Sequence, residues 1–96
     1  MSTFTICIGS NYNREENILF AQEQLTALFP SICFADAEET EPFLLSNPNF
    51  FTNQVARFCS SDTPEVIKTK LKAMEDSVPG AGGRHLEKIA LDIDLL

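Results

Sequence analysis

Asp92-Ile93-Asp94 sets two carboxylates on either side of one apolar residue. Side chains at positions i and i+2 of a β-strand leave the same face. On a strand these acids therefore stand side by side, and they repel each other unless a cation or water screens them. Mg²⁺ takes oxygen ligands of this kind and completes its shell with water and substrate phosphates. A solvated sheet face is the plainer reading of the same tripeptide. Phe51-Thr52-Asn53 pairs a ring and an amide by the same parity, a combination able to stack on and hydrogen-bond a flat heterocycle, with structural use of both residues as the commoner alternative. Gly9-Ser10-Asn11 joins a strand to a helix start, where backbone N–H groups can meet an anion; a tight turn accounts for the glycine and is the preferred reading. Arg84, after a glycine-rich loop, is placed to reach a phosphate. His85 reads as a bystander and Glu75 as a charge on a helix surface.

The elements that must position these residues follow from periodicity. Thr3 to Ile8 alternates, with Phe4, Ile6 and Ile8 on one face and Thr3, Thr5 and Cys7 on the other, which predicts a strand ended by Gly9-Ser10-Asn11. Asn13 followed by Glu16 resembles a capping box. Ile18, Ala21, Leu25 and Leu28 then recur at helical spacing until Pro30 stops the helix. Ser31 to Ala37 reads as a second strand, Glu38 to Pro48 as a long loop of the kind that often carries function, and Asn49 to Cys59 as a third strand. In that strand Phe51, Asn53 and Val55 share one face, and Phe50, Ala56 and Phe58 the other. Thr63-Pro64-Glu65 opens a second helix with Ile67, Leu71, Met74 and Val78 inward and Lys68, Lys70 and Lys72 toward solvent. Pro79 to Gly83 breaks it. Lys88 to Leu95 alternates as a last strand, with Ile89, Leu91, Ile93 and Leu95 inward and Asp92 and Asp94 outward. Strand-helix-strand occurs twice. Two such units interleave into an α+β, ferredoxin-like βαββαβ domain: a four-stranded antiparallel sheet with two helices on one face.

Composition bounds the function. A chain of 96 residues makes one domain over positions 1–96, with 44% hydrophobic and 22% charged residues, as in an ordinary globular protein. Eight Phe and no Trp predict a core of Phe, Leu and Ile. The net charge of −7 argues against nucleic acid and against an anionic membrane surface as partners. It leaves a nucleotide open, because carboxylates can hold Mg²⁺ and the metal then faces the phosphates. Cys7, Cys33 and Cys59 match neither a disulfide framework nor a zinc site and read as buried free thiols. No signal peptide and no membrane-spanning run is legible, so the expected location is the cytoplasm.

Taken in order along the chain, these pieces resemble the hydroxymethyl-dihydropterin pyrophosphokinase family of folate biosynthesis. Ile6-Cys7-Ile8-Gly9-Ser10-Asn11 resembles its opening strand and Gly-Ser-Asn turn, Thr40-Glu41-Pro42 its pterin-loop motif, and Phe51-Thr52-Asn53-Gln54-Val55-Ala56 its aromatic-x-Asn strand. Glu75 falls where its second helix carries an acid, and Leu91-Asp92-Ile93-Asp94-Leu95-Leu96 resembles its metal strand. The resemblance implies an ATP-dependent transferase that moves the terminal pyrophosphate of ATP to the hydroxymethyl group of a reduced pterin and releases AMP. It implies Mg²⁺ on Asp92 and Asp94, and ATP as co-substrate. It implies Phe51 stacking on the pterin, Asn53 at the pterin edge and Thr40 and Pro42 along the pocket. By the same correspondence Arg84 is the catalytic-loop arginine, with Glu75 and Lys88 on the nucleotide. The family has an Arg-rich, Trp-containing loop before its metal strand; the corresponding stretch here, Gly82 to Ala90, has one Arg and no Trp. The family also continues past this strand with a portion that supplies a second stacking aromatic and further ATP contacts. The resemblance thus predicts a short form, active as a homodimer that completes the ATP grip, or a weakened relative that binds pterin or nucleotide as a regulatory module.

Overall fold

The computed structural model describes residues 1–40, 51–78 and 89–96. The chain runs β1 (Ser2–Ser10), α1 (Arg14–Leu28), β2 (Cys33–Phe34), β3 (Glu38–Thr40), β4 (Phe51–Ser60), α2 (Pro64–Asp76) and β5 (Asp92–Leu95). This is an α+β architecture with two helices and one antiparallel sheet of five strands in the order β2-β4-β1-β5, with β3 also paired to β4. The expected sheet had four strands. The extra one arises because the second strand is two short pieces: β2 keeps only Cys33–Phe34 of Ser31–Ala37, and β3 forms inside the segment expected as loop. Both pieces bond to β4, which is long enough at ten residues to serve them in succession.

β1 is the centre of the sheet, paired along its full length with β4 and at Ile6–Gly9 with β5. Its alternation sends Ile6 and Ile8 into the core with Ala56, Phe58 and Ile93. Against this one face pack Ile18, Ala21 and Leu25 of α1 and Ile67, Leu71 and Met74 of α2. Phe58 stacks on Phe29 at 4.0 Å between centroids and lies 5.8 Å from Phe4. Lys70 Nζ lies over the Phe29 ring, 5.8 Å from its centroid, and is itself held by Asp62 at 2.6 Å. Lys70 is thus less free than its expected solvent-facing position implies.

The two helix starts are built differently. Thr63 caps α2 as its sequence predicts, accepting from the Val66 N–H at 3.3 Å, with Pro64 next and Glu65 in the first turn. The capping box expected of Asn13 and Glu16 does not form. Asn13 takes a left-handed backbone (φ 45°) and makes no side-chain cap, a conformation Asn tolerates better than most residues. The turn is secured instead at the Tyr12 carbonyl, which accepts from Ser10 Oγ at 3.1 Å and Asn17 Nδ2 at 2.7 Å. The thiols also differ from expectation: all three are free, but Cys33 and Cys59 are exposed and Cys7 half-buried, because they sit on the sheet face the helices leave uncovered.

Phe58 is almost fully buried and stacks on Phe29 within the core. Phe58→Ala is expected to lower stability by about 3–5 kcal/mol, read as a shift of the urea midpoint at unchanged slope. A shift no larger than that of Thr3→Ala, on the opposite face, would contradict this placement of the core.

Candidate functional site

The face of the sheet away from the helices carries the polar residues singled out by the sequence. Register decides this. Gly9 of β1 lies opposite Asp92 of β5 on one side and Asn53 of β4 on the other. Residues directly opposite in an antiparallel pair point to the same face. Asp92, Gly9 and Asn53 therefore form one row across three strands, and Glu38 of β3 extends it beyond Asn53. The next row is Asp94, Cys7 and Val55. Phe51 lies two residues from Asn53, on the same face, with Thr40 opposite it in the register. Two metal-type carboxylates and an aromatic-amide pair thus share one surface, separated by the width of β1, about 10 Å from β5 to β4.

Gly9 is the reason these groups can converge. A Cβ built at Gly9 would stand 3.3 Å from Asn53 Oδ1, 3.9 Å from a Phe51 ring carbon and 3.9 Å from the Asp92 carbonyl. Asn53 and Phe51 lean over the space a side chain would occupy. The glycine sits within β1, not in the tight turn expected of it, and its use is this close approach. The anion reading of the turn is not favoured at Asn11, whose N–H donates to the Ile89 carbonyl at 3.0 Å while its Oδ1 accepts from the Ile89 N–H at 2.6 Å.

Asp92 is half-buried and Asp94 exposed. Their field is felt between the strands: burial pushes the Cys7 thiol above its ordinary value, and Asp94 and then Asp92 push it the same way. Among the described residues no group of three or more His, Cys, Asp or Glu side chains is arranged to hold a metal. The donor set is two hard carboxylates on one face, which fits Mg²⁺ retaining water and phosphate oxygens in the rest of its shell.

Glu75 does not lie loose on the helix surface. Its Oε2 accepts from the Ile93 N–H at 2.7 Å, between the two aspartates. It also lines a cavity of about 250 Å³ with Lys68, Leu71, Lys72, Ile93, Asp94 and Leu95. Lys68 and Lys72 are exposed, as the sequence reading expected, and their place beside this cavity is what that reading did not draw. The signal was available: positions 68, 72 and 75 are spaced four and three apart and so share one helix stripe. Of the remaining expected site residues, Thr40 is described only by its backbone pairing, and Pro42, Arg84 and Lys88 lie outside the described residues, as do His85, Phe50, the loop beyond Thr40 and the glycine-rich stretch. Among the described residues no helix is long and apolar enough to cross a membrane.

Compared with known families, residues 5–96 match the family model of 7,8-dihydro-6-hydroxymethylpterin-pyrophosphokinase. No curated protein matches the chain.

The field of the two aspartates is open to measurement at Cys7. With Cys33→Ser and Cys59→Ser removing the exposed thiols, alkylation of Cys7 by neutral iodoacetamide at pH 8 reads its thiolate fraction. Asp94→Asn removes a charge that raises the thiol's pKa, so the thiolate fraction and the rate should both rise. An unchanged or slower rate would mean that Asp94 does not face Cys7.

Proposed function

The chain belongs to the 7,8-dihydro-6-hydroxymethylpterin-pyrophosphokinase family, and on that premise we propose that the open sheet face is a site for a reduced pterin and Mg-ATP. The observation that carries this reading is the row Asp92–Gly9–Asn53 with Phe51 beside it. The order β2-β4-β1-β5 supports reading the sheet as ferredoxin-like, with its second strand interrupted between β2 and β3.

Each residue's part follows from its chemistry. The Phe51 ring supplies a flat apolar surface for a pterin to stack on. The Asn53 carboxamide offers a donor and an acceptor to the edge of that heterocycle, held over Gly9. By the family resemblance, Thr40 and Pro42 would lie along the pterin pocket. Asp92 and Asp94 would hold Mg²⁺, which when bound offsets phosphate charge and polarises the phosphorus under attack. The reaction joins the pterin hydroxymethyl oxygen to the β-phosphorus of ATP, breaks the bond from that phosphorus to the oxygen bridging to the α-phosphate, and releases AMP and the hydroxyl proton. Arg84 and Lys88 would meet the phosphates. Lys68 and Lys72, at the rim of the cavity beside Asp94 and Glu75, add positive charge near the nucleotide. The work is positioning and charge compensation, as phosphoryl-type transfer requires.

A second reading has one specific observation behind it. Gly82 to Ala90 holds a single Arg and no Trp, so the phosphate grip is thin, and Lys is not equivalent to Arg at a phosphate clamp. A chain that binds pterin or nucleotide without efficient turnover matches that composition.

AMP release from ATP, Mg²⁺ and 6-hydroxymethyl-7,8-dihydropterin separates the two. For the enzyme, Asp92→Asn and Asp94→Asn should each lower the rate by about 100-fold or more, with the circular dichroism of the parent retained. Turnover by the parent no greater than that of the double variant would sink the enzyme reading. Calorimetry with pterin and with Mg-ATP would then decide whether binding survives.

A further inference from the structure

We infer that Glu75 is a positioning residue for the Asp92–Asp94 pair, acting on the backbone between them and not as a ligand in its own right. This rests on the reading of those aspartates as the Mg²⁺ carboxylates. Among the described residues, β5, four residues long, has β1 as its one neighbour in the sheet order. The Leu96 N–H donates to the Thr5 carbonyl on β1 at 2.9 Å. Backbone groups of alternate residues in an antiparallel strand face opposite edges, so the N–H groups of Asp92 and Asp94 also face β1, while that of Ile93 faces outward. At an ordinary sheet edge that outward N–H would bond to water. Here it bonds to a carboxylate from α2 at 2.7 Å, a charge-assisted bond of the stronger kind.

The consequence is geometric. The peptide plane that carries the Ile93 N–H begins at the carbonyl carbon of Asp92, and Asp94 follows one residue later. Holding that plane restricts rotation on both sides of Ile93 and keeps the two aspartate side chains directed to the same face. Ile93 itself is buried against the helices, so its side chain and its N–H are both tied to the α2 side. At the near end of the strand, Asn11 holds Ile89 by both its N–H and its Oδ1. The metal-type pair is thus carried on an edge strand pinned at two points outside the sheet ladder, and an edge strand without such ties opens locally at low cost. Two carboxylates bind one cation group well only when both are already in place.

Amide NMR tests this on the full chain with Mg²⁺ alone as the probe. Hydrogen exchange reads the Ile93 N–H, and the shifts of Asp92 and Asp94 on Mg²⁺ titration give the dissociation constant. Glu75→Ala should abolish protection at Ile93 and weaken Mg²⁺ by about 10-fold or more, the usual scale for groups that orient ligands. Glu75→Gln keeps an acceptor oxygen without the charge, and should restore protection and most of the affinity. If Glu75→Ala does not fold, Glu75→Asp, shorter by one methylene, takes its place with the same expected loss. An unchanged dissociation constant in Glu75→Ala beside normal Mg²⁺ binding by the parent would overturn the positioning role alone. A Gln variant that protects Ile93 yet binds Mg²⁺ as weakly as the Ala variant would also overturn it, because the charge would then act directly. No Mg²⁺ response in the parent at Asp92 and Asp94 would overturn both this role and the metal reading beneath it.

Discussion

The site depends on parity in β1. Because β1 pairs with β4 on one side and, over Ile6–Gly9, with β5 on the other, each outward residue of that stretch brings one residue from either neighbour onto the same face. Gly9 does this for Asn53 and Asp92, and Cys7 for Val55 and Asp94. A slip of one residue in either pairing would turn the aspartates or the amide into the core, where an unpaired carboxylate is strongly disfavoured. The apolar partners lock the register from the other face: Ile6, Ile8, Ala56, Phe58 and Ile93 are all buried in one cluster. Core packing and site geometry are thus two faces of the same constraint.

Charge gives that constraint a cost. Asp92 and Asp94 stand about 7 Å apart along β5 in a chain of net charge −7, and both bear on the Cys7 thiol. Their cost is offset by the short strand's ties to the helix side and, on the proposed function, by Mg²⁺ and the phosphates it accompanies. The same logic places the lysines of α2. Lys70 is used structurally, over Phe29 and against Asp62, whereas Lys68 and Lys72 border the cavity beside Asp94.

Much of this was legible in the sequence because strand parity is a local property. Alternation alone placed Phe51 with Asn53 and Asp92 with Asp94, and the helix start at Thr63-Pro64 needed no tertiary information. What escaped was set by contacts distant in sequence. The split of the second strand depends on how far β4 extends. The exposure of Cys33 and Cys59 depends on which face the helices cover. Gly9 looked like a turn residue because its close approach to Asn53 involves a strand 44 positions on. The failure at Asn13 is different: its side chain has the chemistry of a cap, but a left-handed backbone directs it elsewhere while Ser10 and Asn17 complete the turn.

The most direct test of the shared face is where a pterin sits. Intermolecular NOEs from bound 6-hydroxymethyl-7,8-dihydropterin should reach the Phe51 ring protons and the Gly9 α-protons together, since the Phe51 ring lies close against Gly9 on that face. Contacts from the ligand to α1 or α2 side chains without contacts to Gly9 would place the pterin off this face and contradict the account.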